Sequence, residues 1–439
     1  MEWRRINVVI GSAIFWFLSQ IYWLSLDHVI RDGDEEGHVG AAEIFKDWLF
    51  RGEYEQYTTQ LLWGDLGEYP PFFAGYIGFW WWLFDAQPED LLLRSTLLLF
   101  PLATACICAW HSKLQKGPWD VIFIITLFLP LTNGLSRHYM IENPLPTCIA
   151  FFLLCLSKEE RWWDLLAGIV LGIALLCKQT TVLYVLPLLF LYHQRIHWLI
   201  FGSILAVPWY LLHFGDQSQY IQQSVSSSAS PNFLEIIGAP ILSLFWENVG
   251  PVGFIIFLGY SLKVWKDKIS LNKAIWIAFG CSLLIFILLP KKYPRLMIGM
   301  LPIVILLYND ILTKEKTHTQ YFIATLVVVQ YLYFSFLPTP PNIFRLVSDD
   351  RCPQIWNRPP QSSDLGLKDA YEWIQGKEGI SHLTIYAQPI PCGIQTTHSY
   401  PYHLEIYLRR RGVEVEVEEV STPKDAMIIW TEQSQIFRE

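Results

Sequence analysis

Charged residues are scarce in this chain. Lys, Arg, Asp and Glu make up 16% of its 439 residues, against about 25% in a typical soluble domain. Apolar residues make up 52%, and they recur in runs of roughly 18 to 23 residues, the length that crosses a bilayer. The sequence therefore excludes a soluble enzyme with one anchor and predicts a polytopic membrane protein.

A signal-peptide cleavage site is also missing. The first apolar run, residues 6–26, is too long for the core of a signal peptide, and no small-residue cleavage motif follows it. Arg4 and Arg5 precede the run, as in a signal anchor. We expect this run to be retained as the first membrane helix, with the N-terminus in the cytoplasm.

The remaining apolar runs predict an all-α membrane domain over residues 1–338. The predicted spans are 6–26, 70–84, 90–110, 119–134, 144–156, 164–177, 180–192, 198–214, 240–262, 274–290, 296–308 and 321–337. Basic connections alternate with acidic or Ser-rich ones, and the positive-inside rule places the basic ones in the cytoplasm. The run 70–84 is short and breaks this alternation, so we treat it as partial, which leaves about eleven crossings. Two outer loops, 27–69 and 215–239, then face the opposite side.

Long apolar runs are absent after residue 338. Helices are predicted at 367–375 and at 402–412, where basic residues and a Gly end the second helix. An alternating strand is predicted at 413–419, and further strands at 382–388 and 426–430. Helices that alternate with strands predict a small α/β domain over 339–439, which is extracytoplasmic by the crossing count.

Cysteines are nearly absent outside the apolar runs. Of the eight in the chain, only Cys352 and Cys392 lie outside them. In an oxidising compartment these two could form a disulfide or stay as two thiols.

Two acidic residues, Asp34 and Glu35, follow the first span. Acids close to a bilayer are costly unless they are solvated or functional. Residues 36–52 have the spacing of an amphipathic helix on the membrane surface, which would hold the pair at its N-terminal end. Asp34 could cap this helix, bind a cation or take a proton from a hydroxyl. His38, one turn further on, is a weak metal candidate, since such histidines are more often plain surface residues.

Cations on the outer side form a second group. Lys178 ends an apolar run, and Lys291, Lys292 and Arg295 flank Tyr293 in one turn. Outer Lys and Arg run against the orientation rule, and a lipid-borne phosphate would explain them. Snorkelling to phospholipid headgroups is the alternative.

A polar stretch before Pro144 contains Arg137, His138, Glu142 and Asn143. It opens a predicted helix on the outer side. Taken alone, it could equally be an ordinary solvated turn.

The order of these motifs resembles the GT-C glycosyltransferases, in the branch that contains the protein O-mannosyltransferases and the lipid A aminoarabinose transferases. That branch has an acidic pair before an amphipathic stretch and then an acidic-x-Pro-Pro motif, similar to Asp34-Glu35 and residues 68–71 here. The resemblance continues through 136–144, 168–178 and 291–302, and so spans about residues 1–340. Tyr69 stands where many members have Lys, and Glu142 where they have Asp, which leaves the donor sugar and the acceptor geometry open.

The resemblance implies a membrane glycosyltransferase that moves a sugar from a polyprenyl phosphate to an acceptor hydroxyl at the outer face, with a single inversion. It implies Asp34 as general base, with three further acids in the catalytic group: Glu35, Glu68 and Glu142. The residues that would bind the donor phosphate are Arg137, Lys178, Lys291, Lys292, Tyr293 and Arg295. Loop 215–239 is expected to order over the lipid donor.

The same resemblance sets the expected partners and location. The lipid-linked sugar is a co-substrate, no cofactor is expected, and no metal beyond the weak candidate His38. The acceptor is a protein, a lipid or a glycan, and nucleic acid is not a partner. The compact length favours a bacterial inner membrane, with the active site and the C-terminal domain in the periplasm.

Two other functions compete with the transferase. A transporter or flippase for a lipid-linked sugar predicts charges within the spans and two repeated halves. The sequence has no internal repeat and few mid-span charges. A membrane scaffold that presents 339–439 to a partner leaves the ordered motifs unexplained.

Overall fold

The computed structural model describes most of the membrane domain and parts of the C-terminal region. The described residues are 2–27, 33–64, 69–191, 197–215, 218, 241, 244, 248–267, 273–288, 294–337, 360, 367–377, 381–387, 404–405, 407–409, 412–413, 415–420, 427–430 and 435–437.

The first half of the chain is helical. Its helices are α1 (Glu2–Leu26), α2 (Gly33–Phe50), α3 (Tyr54–Trp63), α4 (Phe72–Phe84), α5 (Leu91–Ser95), α6 (Leu99–Leu114), α7 (Trp119–Leu127), α8 (Pro130–Leu135), α9 (Pro144–Leu156), α10 (Arg161–Cys177), α11 (Thr181–Leu191) and α12 (His197–Leu212). A 3-10 turn, Thr96–Leu98, joins α5 to α6. The second half contains α13 (Gly250–Asp267), α14 (Lys273–Leu288), a 3-10 turn (Pro294–Met300), α15 (Leu301–Leu312), α16 (Thr317–Phe336) and α17 (Leu367–Gln375).

Within these described residues, four helical segments are long and apolar enough to cross a membrane. They are Glu2–Leu26, Leu91–Leu114, Arg295–Leu312 and Thr317–Phe336. Other predicted spans form shorter apolar helices, and several of those begin at or contain proline, which lacks the amide proton that a helix interior needs. The prediction of a helical membrane protein is confirmed, while the number of crossings and the orientation stay predictions.

The predicted amphipathic helix is α2, and its apolar side packs against α4. Val39, Ala42 and Phe45 are fully buried there. The two helices approach closely at Gly78 of α4, where an added Cβ would lie 2.6 Å from the Cβ of Phe45 and 2.7 Å from the carbonyl oxygen of Ala42. The apolar side that we predicted for a membrane surface is thus covered by protein.

Gly78→Ala is expected to destabilise the protein, because the new methyl group meets the backbone of α2. Overpacking of this kind costs about 1–3 kcal/mol. Gly40→Ala, in α2, is the matched control: its Cβ would have no neighbour within 4 Å, so it should be neutral or add up to about 1 kcal/mol of stability. Thermal unfolding in detergent measures both. Equal melting temperatures for the two variants would contradict the close α2–α4 contact.

Buried polar contacts join α1 to the centre of the bundle. The indole Nε1 of Trp16 donates to the side-chain oxygen of Asn133 at 2.5 Å, and Gln20 donates to the same oxygen. In α10, a Cβ at Gly172 would lie 2.8 Å from the Cβ of Leu205 in α12. This close contact packs α10, which Lys178 follows, against α12.

The C-terminal region contains a four-stranded sheet in the order β2 (Glu416–Glu419), β1 (His382–Ala387), β3 (Ile428–Trp430) and β4 (Gln435–Phe437). Strand β1 pairs in parallel with β2 and β3, and β4 pairs antiparallel with β3. Ala370 and Ile374 of α17 belong to one buried apolar cluster with Leu383 and Ile385 of β1. The predicted helix 367–375 and the three predicted strands are therefore present, whereas the three-residue β4 is too short to show alternation. The predicted helix 402–412 lies only partly within the described residues. The domain boundary at 339 stays a prediction, and Cys352 and Cys392 lie outside the described residues.

Candidate active site

The acidic pair occupies the first turn of α2, as predicted. The structure describes the backbone of Asp34 and both the backbone and the side chain of Glu35. The Glu35 carboxylate is buried: Oε1 accepts the amide proton of Tyr139 at 2.8 Å, and Oε2 accepts from Nδ1 of His138 at 3.1 Å. Glu35 therefore ties α2 to the segment 136–143, which we call the polar turn.

Electrostatics keep Glu35 ionised. Burial alone would raise the pKa of this carboxyl, but His138 and the Tyr139 amide hold the pKa below its ordinary value. Both carboxylate oxygens of Glu35 thus contact the polar turn, and the catalytic role predicted for Glu35 stays a prediction.

Glu35→Gln is expected to lower stability by about 1–3 kcal/mol, since it removes the charge that pairs with His138 in a buried place. Glu43→Gln on the same helix is the control, because Glu43 is half-buried and its ion pair with Lys46 is long, at 3.9 Å. Melting temperatures of both variants in nanodiscs measure the difference. An unchanged melting temperature for Glu35→Gln would argue against the anchoring contact.

A second buried ion pair supports the same turn. Nη2 of Arg94 in α5 lies 3.2 Å from Oδ2 of Asp27 and donates to the carbonyl oxygen of Arg137 at 3.1 Å. We did not predict either partner. The signal was an arginine inside the apolar run 91–100, which needs a buried counter-charge.

Arg137 was predicted to bind phosphate, and the structure places it in another group. The side chain is fully buried, and it donates to Gln20 of α1 and to Ser335 of α16, both at 2.8 Å. Its guanidinium lies 4.4 Å from the ring centroid of Trp23. These contacts lie with α1 and α16.

Three predicted site residues do come together, around the carboxylate of Glu142. Its Oε1 forms an ion pair with Nζ of Lys178 and lies 3.5 Å from Nε of Arg295. Glu142 lies near the end of the polar turn, Lys178 follows α10, and Arg295 belongs to the 3-10 turn before α15. We call Lys178 and Arg295 the cation pair.

Aromatic rings connect the first turns of α2 to the surroundings of Lys178. The ring centroid of Tyr69 lies 5.7 Å from Nζ of Lys178 and 5.3 Å from the His38 ring. The His38 ring also contacts the Phe73 ring edge-on, with the ring centroids 6.1 Å apart. The helix that carries Asp34 thus contacts both the polar turn and the surroundings of the cation pair.

The metal prediction gains no support from side-chain clustering. Among the described residues, no group of three or more His, Cys, Asp or Glu side chains could hold a metal ion. His38 lies between aromatic rings. His213 stacks on Trp209, with the ring centroids 4.6 Å apart.

The charges of this cluster suit an anion. Burial opposes ionisation of Glu142, yet the positive charges of Lys178 and Arg295 bring its pKa down to about 2. The carboxylate is therefore ionised at any physiological pH. Two cations against one carboxylate leave a net positive charge on these three residues, so the cluster can accept a phosphate.

Comparison with known proteins gives a fold. No protein-family model matches the chain, and no curated protein matches it. ArnT from Cupriavidus metallidurans in the apo state has a TM-score of 0.59 at 13% identity, covering 95% of this chain and 86% of that chain. The same protein bound to undecaprenyl phosphate has a TM-score of 0.54 at 14% identity, covering 94% and 89%. The chain has the fold of ArnT.

This fold confirms the resemblance drawn from the ordered motifs. At these identities the likeness concerns the fold alone, so the roles of individual residues stay predictions. Of the predicted site residues, Glu68, Lys291, Lys292 and Tyr293 lie outside the described residues, and so does the side chain of Asp34. Most of loop 215–239 lies outside them as well.

Proposed function

We propose that this protein is an integral membrane glycosyltransferase that uses a polyprenyl-phosphate sugar. The observation that carries the proposal is the cation pair around Glu142, beside the helix whose first turn bears Asp34. The fold adds support, since one ArnT structure with this fold holds undecaprenyl phosphate. A basic site in a bilayer-spanning fold suits a phosphate on a lipid anchor.

The proposed reaction is a single displacement at the anomeric carbon. The donor phosphate binds Lys178 and Arg295, and Asp34 takes the proton from the acceptor hydroxyl. The hydroxyl oxygen bonds to the anomeric carbon while the bond to the phosphate oxygen breaks, and that oxygen keeps the electron pair. The anomeric configuration inverts, and the cation pair stabilises the charge that develops on the phosphate.

Location and acceptor belong to the same proposal. We place the enzyme in a bacterial inner membrane with its N-terminus in the cytoplasm. The active site and the 339–439 region then face the periplasm. The acceptor is a protein, lipid or glycan hydroxyl, and the 339–439 region is a place where it could bind.

The test is transfer by purified protein in nanodiscs. A panel of short-chain polyprenyl phosphates, each bearing one sugar, is incubated with candidate acceptors, and mass spectrometry follows both products. Cryo-electron microscopy with short-chain polyprenyl phosphate then locates the lipid. Phosphate density at Lys178 and Arg295 would support the transferase. Movement of the lipid across vesicle membranes without transfer would favour the flippase instead.

Metal removal is expected to leave this activity intact. The proposed chemistry uses a carboxylate base and two cationic side chains, so it needs no Lewis acid. Transfer rates are compared before and after treatment with EDTA, followed by desalting. A loss of activity that returns with a divalent metal would mean that His38 or an acid near it is a ligand.

A further inference from the structure

The role of Glu142 can be taken beyond the prediction made from the sequence. There it was expected to belong to the catalytic group. In the structure its Oε1 contacts both cations that are expected to bind the donor phosphate. A phosphate that reaches Lys178 and Arg295 must therefore come within a few ångströms of a buried negative charge.

The two lipids of the proposed reaction differ in charge. A sugar-bearing polyprenyl phosphate is a diester with one negative charge. The polyprenyl phosphate left after transfer is a monoester, which carries about −1.5 to −2 near neutral pH because its second pKa is about 6. Repulsion from a nearby carboxylate scales with this charge. The product is therefore repelled about 1.5 to 2 times as strongly as the donor.

We propose that Glu142 is a specificity-determining residue that matches the cation pair to a monoanionic phosphodiester and promotes release of the dianionic product. This inference rests on the proposed function. Glu142 lowers the net charge of the site without removing either cation. Burial keeps the repulsion strong, since water does not screen it. The same repulsion also acts on the charge that develops on the leaving phosphate. Glu142 therefore speeds release of the product but slows the chemical step.

The environment of the carboxylate fits this role. Its second oxygen, Oε2, is buried and has no hydrogen-bond partner among the described residues. The carboxylate is therefore held through Oε1 and the two cations, and a phosphate that displaces this contact breaks no further described hydrogen bond. The pKa of about 2 keeps it charged throughout.

The test compares two probes and one variant at pH 8, in nanodiscs of zwitterionic lipid. Farnesyl phosphate represents the dianionic product and farnesyl methyl phosphate the monoanionic donor. In Glu142→Gln, we expect both to bind more tightly, and the improvement for farnesyl phosphate to exceed that for the diester by on the order of tenfold, one unit of ligand charge at this range. Glu43→Gln controls for surface charge, because Glu43 is half-buried and lies far from Glu142 in the sequence.

The outcomes separate this inference from the proposed function. Equal changes for both probes, or weaker binding of both, would make Glu142 a scaffold for the cations and overturn the inference. Should Glu142→Gln fail to fold, the wild type decides: its preference for the monoester should stay within about tenfold, the effect of one net positive charge, and a preference of about 100-fold or more, the effect of two unopposed cations, would overturn the inference. If the wild type binds neither probe, the proposed function is overturned, and this inference with it.

Discussion

Asp34→Asn is expected to abolish sugar transfer while binding of polyprenyl phosphate survives. Asparagine keeps the size of the side chain but cannot take the acceptor proton, and loss of a general base costs about 10²–10⁴-fold in rate. The phosphate is held by a different group, Lys178 and Arg295, so its affinity should change little. Turnover by mass spectrometry and lipid binding by the same nanodisc assay measure the two effects separately.

The control for this variant is Asp47→Asn. Asp47 belongs to the same helix, α2, is exposed, and pairs at the surface with Lys46 at 3.3 Å. Removing that charge tests whether any aspartate of α2 affects transfer through helix stability, and we expect near-normal rates. Near-normal transfer by Asp34→Asn would remove Asp34 as the base and leave the cation pair as a binding site only.

Sequence periodicity predicted the elements better than their surroundings. The spacing of apolar residues after Glu35 gave α2, because one helical face must be apolar whatever covers it. The same spacing cannot tell lipid from a neighbouring helix, and Gly78 of α4 is what lets protein cover that face. The apolar spacing of α2 does not by itself predict that α4 packs against it, and neither does the sequence of α4.

The polar turn shows the same limit at the level of single side chains. Arg137 and Glu142 are five residues apart and were predicted to share one site. The chain turns between them, so Arg137 contacts α1 and α16 while Glu142 contacts the cation pair. The partner of a buried charge is set by tertiary structure. For Glu142 the partners are Lys178 and Arg295. The sequence grouped these two cations only because both were predicted to lie on the outer side of the membrane.

Lys178→Met is expected to weaken binding of polyprenyl phosphate by on the order of 10–100-fold, the effect of losing one charged contact to an anion. Methionine keeps an apolar stem of similar length. It also leaves the buried Glu142 with less compensating charge, and removing one partner of a buried ion pair costs about 3–5 kcal/mol of stability. Binding and melting temperature should therefore both fall. Lys113→Met is the control, because Lys113 pairs with Glu2 at the surface.

A double variant separates the two consequences. Lys178→Met with Glu142→Gln removes both members of the pair, so no uncompensated charge is buried, and most of the lost stability should return. Binding should not return to the wild-type level, because one phosphate contact is still missing. Recovery of both would mean that Lys178 only neutralises Glu142, and Arg295 would then be the sole described cation for the donor phosphate. Recovery of stability alone would assign Lys178 to the lipid.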